Sequence, residues 1–292
     1  MQNTRRASWM LMASMFIFGT LSPFVRNISV SSGELALYRA ILAAVLIGAF
    51  LLVTKQPINV SSIKKELFLL AISGAAMGFN WILLFEAYKY TTVSVATLSY
   101  YFAPVIVTAA CPLLFKEKLT GKQIVCFVMS TIGLVLITGI NGGDDAGTHH
   151  IGILFGLGAA CLYASVVLLN KFIKNVAGIH RTFLQFLAVI LVLIPYVALT
   201  GGVSLNTLSP TGWVCLLIVG LVHTGVTYCL YFSSLRNLPG QKAAILSYIN
   251  PLVAVLISVT VLGEDMTPVQ VLGGALILGF TLWNELPAKE RK

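Results

Sequence analysis

In this 292-residue chain Arg39, Glu86 and His223 place charge or a titratable group inside apolar stretches. Glu86 is the one acid well inside such a stretch. It can bind a cationic group, carry a coupling proton, or pair with Arg39 or with Lys89 three residues on. His223 can relay protons or bind a carboxylate if it titrates near neutrality, or serve as a neutral histidine bonded to a neighbouring helix. The acids and histidines of Asp144-Asp145-Ala146-Gly147-Thr148-His149-His150 lie in a glycine-bearing connector that fixes no ligand geometry, so it reads as a solvated loop and no metal site is expected. Neither G-x-x-x-x-G-K-[ST] nor H-E-x-x-H occurs, and the apolar stretches hold no paired acids or activated nucleophile. No catalytic residue, no cofactor and no enzymatic activity are therefore expected.

A second constellation is neutral. Asn80-Trp81 and Thr227-Tyr228 each set a hydrogen-bonding residue beside an aromatic one, which suits a shared cavity that holds a small molecule, or helix-to-helix hydrogen bonding. Tyr100, Tyr101, Tyr163 and Tyr248 put phenols at mid-depth, away from the interfacial belts where membrane tyrosines usually sit. Candidate binding residues are thus Asn80, Trp81, Tyr101, Tyr163, His223, Thr227, Tyr228 and Tyr248. Pro104 and Pro251 remove the helical hydrogen bonds to the carbonyls of Tyr100 and Ser247, which predicts kinks beside the tyrosines and possible hinges.

The elements that must position these residues are long and apolar. The chain is 58% hydrophobic and 10% charged, whereas soluble domains carry about 25% charged residues. Roughly 20 apolar residues cross a bilayer core as a helix. Ten such stretches run from Ala7 to Asn27, Gly33 to Val53, Leu67 to Tyr88, Thr92 to Phe115, Gly121 to Ile140, Ile151 to Phe172, Thr182 to Leu199, Gly212 to Leu235, Gln241 to Leu262 and Val269 to Leu286. They leave no room for an extramembrane domain. Arg5 and Arg6 precede the first stretch without a following small-residue cleavage pattern, so that stretch reads as a span. All five cysteines fall inside spans with no C-x-x-C spacing, which makes them packing or lipid-facing residues. Gly152 with Gly156, and Ala275 with Gly279, favour close helix contact within the chain or in a homodimer.

Net charge of +9 points to nucleic acid in a soluble protein, but here it must be divided by side of the membrane. With the N-terminus cytoplasmic and ten alternating spans, the inside segments hold 16 of the 19 basic residues; only Arg26, Arg39 and Lys89 lie toward the other side. Such a bias predicts a multi-pass protein of the cytoplasmic membrane with both termini inside, and no nucleic-acid partner.

Sliding the chain on itself by 147 residues superposes Gly78, Phe85, Ala96, Tyr101, Pro104, Glu117 and Thr120 on Gly225, Phe232, Ala243, Tyr248, Pro251, Glu264 and Thr267. Lys89 meets Arg236, and Asn80-Trp81 meets Thr227-Tyr228. Five is odd, so the second half must be upside down. The connectors agree: Lys116-Glu117-Lys118 is basic where its partner Gly263-Glu264-Asp265 is acidic. The predicted fold is an all-α membrane protein of ten helices, divided as residues 1–140, a connector 141–150 and an inverted second repeat 151–292. The candidate site falls between the third, fourth, eighth and ninth helices, as at the repeat interface of secondary transporters.

Phe18-Gly19 and Arg26 in the first span, Arg39 in the second, and the Pro104…Glu117 and Pro251…Glu264 ends of the fourth and ninth carry a resemblance. Over essentially its full length the chain resembles the EamA type of the drug/metabolite transporter superfamily. The second half departs from the pattern, with Gln185-Phe186 where the first has Tyr38-Arg39. The resemblance implies a carrier for a small-molecule substrate, with export of an amino acid or similar metabolite on a proton or substrate gradient as the first expectation. Efflux of drugs or organic cations is the alternative. An intramembrane lipid-modifying enzyme and a passive channel fit less well.

Overall fold

The computed structural model describes residues 2–56, 63–115, 119–138, 146–176, 178–235, 237–238 and 240–286. Among these the fold is helical, with no strand. The basic connector Lys116-Glu117-Lys118, the acids Asp144 and Asp145, and Arg236 lie outside the described residues.

The first span consists of α1 (Gln2–Gly19) and α2 (Leu21–Arg26), broken at Thr20. The second is α3 (Ser32–Val53) and the third α4 (Leu67–Tyr90). Next come α5 (Val93–Tyr100) with α6 (Ala103–Phe115), and α7 (Gly121–Thr138). The second half opens with α8 (Ala146–Phe172) and α9 (Gly178–Thr200). Its eighth span joins α10 (Pro210–Leu217), a π-helical segment Ile218–Val226 and α11 (Thr227–Leu235). The ninth is α12 (Gly240–Ser247) with α13 (Ile249–Thr260), and the tenth α14 (Pro268–Glu285).

Among the described residues, 7 helical runs are long and apolar enough to cross a membrane. The apolar runs Gly121–Ile137 and Ile245–Thr260 are shorter. At 1.5 Å per residue, the 18 residues of α14 reach about 27 Å, close to the bilayer core.

Local signals start these helices where the sequence supplies them. Ser31 and Glu34 close a capping box on α3, and Thr267 and Gln270 close another on α14. Thr92 accepts from the Val95 amide at the start of α5, and Ser209 caps α10 with Pro210 at its first turn. The fourth and ninth spans, which carry Pro104 and Pro251, break beside a tyrosine, at Tyr101-Phe102 and at Tyr248, positions that the 147-residue shift pairs, whereas the seventh span runs unbroken through Pro195.

Exchange of the halves maps the helix contacts onto one another. The third span packs on the sixth as the eighth packs on the first, and the seventh meets the third as the second meets the eighth. The second and seventh, fourth and ninth, and fifth and tenth pair across the pseudo-two-fold. The last pair is the most closely seated: a Cβ on Gly273 would lie 2.5 Å from the Gly133 carbonyl oxygen, so only glycine allows this approach. The G-x-x-x-G of α8 is used inside the chain, Gly152 against Thr91 and Gly156 against Ser99.

Candidate functional site

Arg39 lies seven residues into α3, about 10 Å from its start by helical rise, and is 3% exposed. Its Nε donates to Thr224 Oγ1 at 3.1 Å, and its guanidinium carbon sits 4.2 Å over the Trp81 ring and 5.4 Å from Phe85. The phenols of Tyr228, Tyr88 and Tyr100 lie within its electrostatic reach. A central charge costs roughly 2.5 to 3.5 kcal/mol on insertion scales, and a desolvated cation–π contact returns about 2 kcal/mol. Trp81 and Thr224 together therefore offset most of the penalty without neutralising the charge.

The π segment places Thr224. Its side chain donates to Val219 O at 2.8 Å and that of Thr227 to Val222 O at 2.7 Å, each five residues back in the wider turn. Such segments are rare and concentrate at functional sites. The segment lies against α3 at Gly220, where a Cβ would meet Leu42 at 2.4 Å.

From Trp81 an aromatic column crosses the interface of the halves. Trp81 meets Phe186 edge-on at 5.5 Å, Phe186 meets Tyr228 at 5.3 Å, and Tyr228 stacks on Phe232 at 6.1 Å, with Phe18 also 5.3 Å from Tyr228. Phe232 lines a cleft of about 380 Å³ between the end of α3, the start of α9 and the end of α11. By the 147-residue shift, Arg39 corresponds to Phe186 and Trp81 to Tyr228. The four therefore form one pseudo-symmetric cluster with charge in one half only.

Beside it stand Tyr100, Tyr101, Tyr163 and Tyr248. Tyr163 contacts Tyr100 at 5.5 Å, and Tyr100 contacts Tyr101 at 5.9 Å. Tyr163 keeps 42% of its surface exposed although Tyr100, Tyr101, Tyr228 and Tyr231 from other helices are close to it.

The remaining candidates are engaged within the protein. Asn80 Nδ2 donates to Ala159 O at 2.6 Å, joining α4 to α8. His223 is 2% exposed and lies with Nε2 3.2 Å from Thr20 Oγ1, Nδ1 3.4 Å from Ile218 O and its ring on Phe24. Its place is thus the break of the first span. Glu86 pairs with Lys89 at 2.8 Å near the end of α4 and is separate from Arg39. Sequence reasoning did not single out Thr224, Ser73 or Asn170, and it named Gln185-Phe186 only as the departure opposite Tyr38-Arg39; in the structure Gln185 Nε2 donates to Ser73 Oγ at 2.6 Å and to Asn170 Oδ1 at 2.9 Å. Phe186 is thus in the cluster as the shift-related partner of Arg39.

One end of the site is tied shut. Glu264 pairs with Arg26, accepts the Ser258 hydroxyl and accepts the Val93 amide at 2.7 Å, so it joins the first, fourth and ninth spans at an N-terminus whose helix dipole favours an anion. At the opposite end, Glu66 accepts from the Lys174 amide at 2.7 Å and the Asn175 amide at 3.0 Å, holding the connector before α9. Burial raises the pKa of Glu66, but hydrogen bonds from Asn175, Lys174 and Val176 outweigh it and hold the carboxyl below its usual range.

A family model for EamA-like transporters matches residues 5–139 and again residues 150–284. The chain belongs to the EamA-like transporter family. Members are membrane transporters, and this one is a multi-pass membrane protein with two repeats of that family's unit. It is 30% identical over 268 residues to an uncharacterized transporter of Bacillus subtilis, covering 91% of this chain and 85% of that one. An uncharacterized transporter of Archaeoglobus fulgidus is 28% identical over 278 residues, covering 94% and 95%. A protein of known crystal structure matches the fold with a TM-score of 0.65 at 15% identity, over 94% of this chain and 95% of that one.

Proposed function

We propose that this EamA-like transporter exports a small polar or amphipathic metabolite, such as an amino acid, across the cytoplasmic membrane by alternating access. The observation that carries the reading is the cluster of Arg39, Trp81, Phe186 and Tyr228 at the interface of the halves, with the partly exposed Tyr163 beside it and Glu264 joining three spans at one end. A site between two inverted repeats is reached alternately from each side when the halves rock. Residues 1–140 and 151–292 are the two moving units, joined by 141–150. The basic face is cytoplasmic, and a proton or substrate gradient supplies the energy. An uncompensated cation at the site disfavours organic cations as substrates, since it would repel them in a low dielectric.

The test is reconstitution into liposomes with amino acids, organic acids, organic cations and nucleotide sugars, with and without a pH gradient. Saturable flux of one class, accelerated by the gradient or by substrate on the opposite side, is expected. Absence of flux for every class would overturn the carrier reading, and non-saturating flux would replace it with a channel.

A further inference from the structure

We infer that the Arg39 guanidinium binds the carboxylate of a monocarboxylate whose apolar body lies along the partly buried ring of Tyr228. The inference rests on the carrier reading and gives its site a substrate class.

Arg39 is a buried cation with one of its three nitrogens used. Nε is taken by Thr224, and among the described residues the two terminal nitrogens have no hydrogen-bond acceptor. The acids on nearby elements are committed elsewhere: Glu34 to Ser204 at 2.6 Å, Glu86 to Lys89 and Glu264 to Arg26. A guanidinium held through Nε and stacked on Trp81 leaves its planar N–H fork free, and that fork matches the two oxygens of a carboxylate.

Charge decides between anions. The described neighbours of Arg39 are phenols, rings, a hydroxyl and the imidazole of His223, whose ring nitrogens lie against Thr20 Oγ1 and Ile218 O, so the guanidinium is the fixed positive charge of the site. A monocarboxylate neutralises it, whereas a phosphate monoester would bring a surplus negative charge into a low dielectric. The other end of the ligand meets Tyr228, which is only partly buried and is backed by the fully buried Phe186, the neutral partner of Arg39 in the second half. One polar pole and one aromatic pole fit a compound with a carboxylate at one end and an apolar body at the other.

Binding to the detergent-solubilised full chain tests this independently of flux. The probes are 3-phenylpropionate, hexanoate, phenylalanine and leucine, each beside its amide, and the readouts are thermal stabilisation and quenching of tryptophan fluorescence. Trp81 is buried at 6% exposure, while Trp9, Trp213 and Trp283 are exposed and respond to unbound solute as well, so the part of the quenching that distinguishes acid from amide and is lost in Arg39→Gln reports on the site. At least one acid is expected to stabilise the protein and quench its fluorescence where its amide does not. Arg39→Gln should abolish that difference, and Arg39→Lys should keep it with about tenfold weaker affinity because the bidentate fork is lost. Equal responses to acid and amide, no response to any of the four acids, or an undiminished preference in Arg39→Gln would overturn the inference. If Arg39→Gln does not fold, the acid–amide comparison in the unaltered chain and in Arg39→Lys decides. The carrier reading fails separately, by absence of flux in liposomes.

Discussion

Thr224 is the residue that turns Arg39 toward the site. A hydrogen bond to a charged group contributes about 1.5 to 3 kcal/mol, and Thr224 makes this one while anchoring its own π turn at Val219. Thr224→Val keeps the volume and removes the acceptor. Its melting temperature in detergent should fall by several degrees, with substrate affinity reduced, and Thr224→Ser should restore both. An unchanged Thr224→Val protein would show that Arg39 does not depend on it. At Glu66 the same reasoning gives a pH dependence. Hydrogen bonds hold its folded pKa below the unfolded value, so the stabilisation is complete above the ordinary carboxylate range and is lost as pH falls through the folded pKa. Glu66→Gln should therefore melt lower at pH 7 and lose less stability than the parent on acidification, as thermal scans from pH 7 to pH 3 would show. Much at this scale was legible from residue type alone, since a charge or phenol inside an apolar stretch announces itself. Partners were not: Glu86 could have paired with Arg39 or Lys89, and only the helix register separates them.

At the scale of elements, the breaks are informative. The fourth and ninth spans break at paired positions, as Pro104 and Pro251 predict, whereas the break at Thr20 and the π segment occur without counterparts in the third and sixth spans, α4 and α8. No periodicity marks a π turn in advance, because its i→i+5 bonds depend on how Gly220 and Gly225 seat against Leu42 and Leu46. Proline, by contrast, cannot supply its helical N–H in any context. The ends of the broken helices are also where Glu264 acts, on the first turn of α5. Glu264→Gln removes the ion pair with Arg26 while leaving a hydrogen-bonding side chain. In a background without native cysteines and with Tyr163→Cys as reporter, this substitution should raise labelling by a membrane-impermeant maleimide from the Glu264 side several-fold. Labelling equal to that of the unsubstituted reporter would mean that the Glu264 contacts do not hold that side closed.

The whole molecule joins two kinds of information with different reach. Hydropathy located the helices because about 20 apolar residues have few other places to go, and the 147-residue shift paired them. The paired contacts of the structure follow that shift, down to Trp81 and Tyr228 meeting the same ring, Phe186. Orientation rests on charge instead. Alternating spans assign 16 of 19 basic residues to one side, and the positive-inside bias operates over short connectors, where it is strongest. That bias predicts that the acidic Glu264-Asp265 connector and the Gly201-Gly202 turn face outward and that both termini face the cytoplasm. Fusions of a reporter fluorescent only in the cytoplasm, and of one active only outside, after Gly201, Gly263 and Lys292 would read this directly. The outside reporter should be active at Gly201 and Gly263, and the inside one at Lys292. Reversal of all three signals would turn the molecule over, placing the Glu264 tie on the cytoplasmic side and the 380 Å³ cleft at Phe232 on the outside, which would favour uptake over export as the direction of transport.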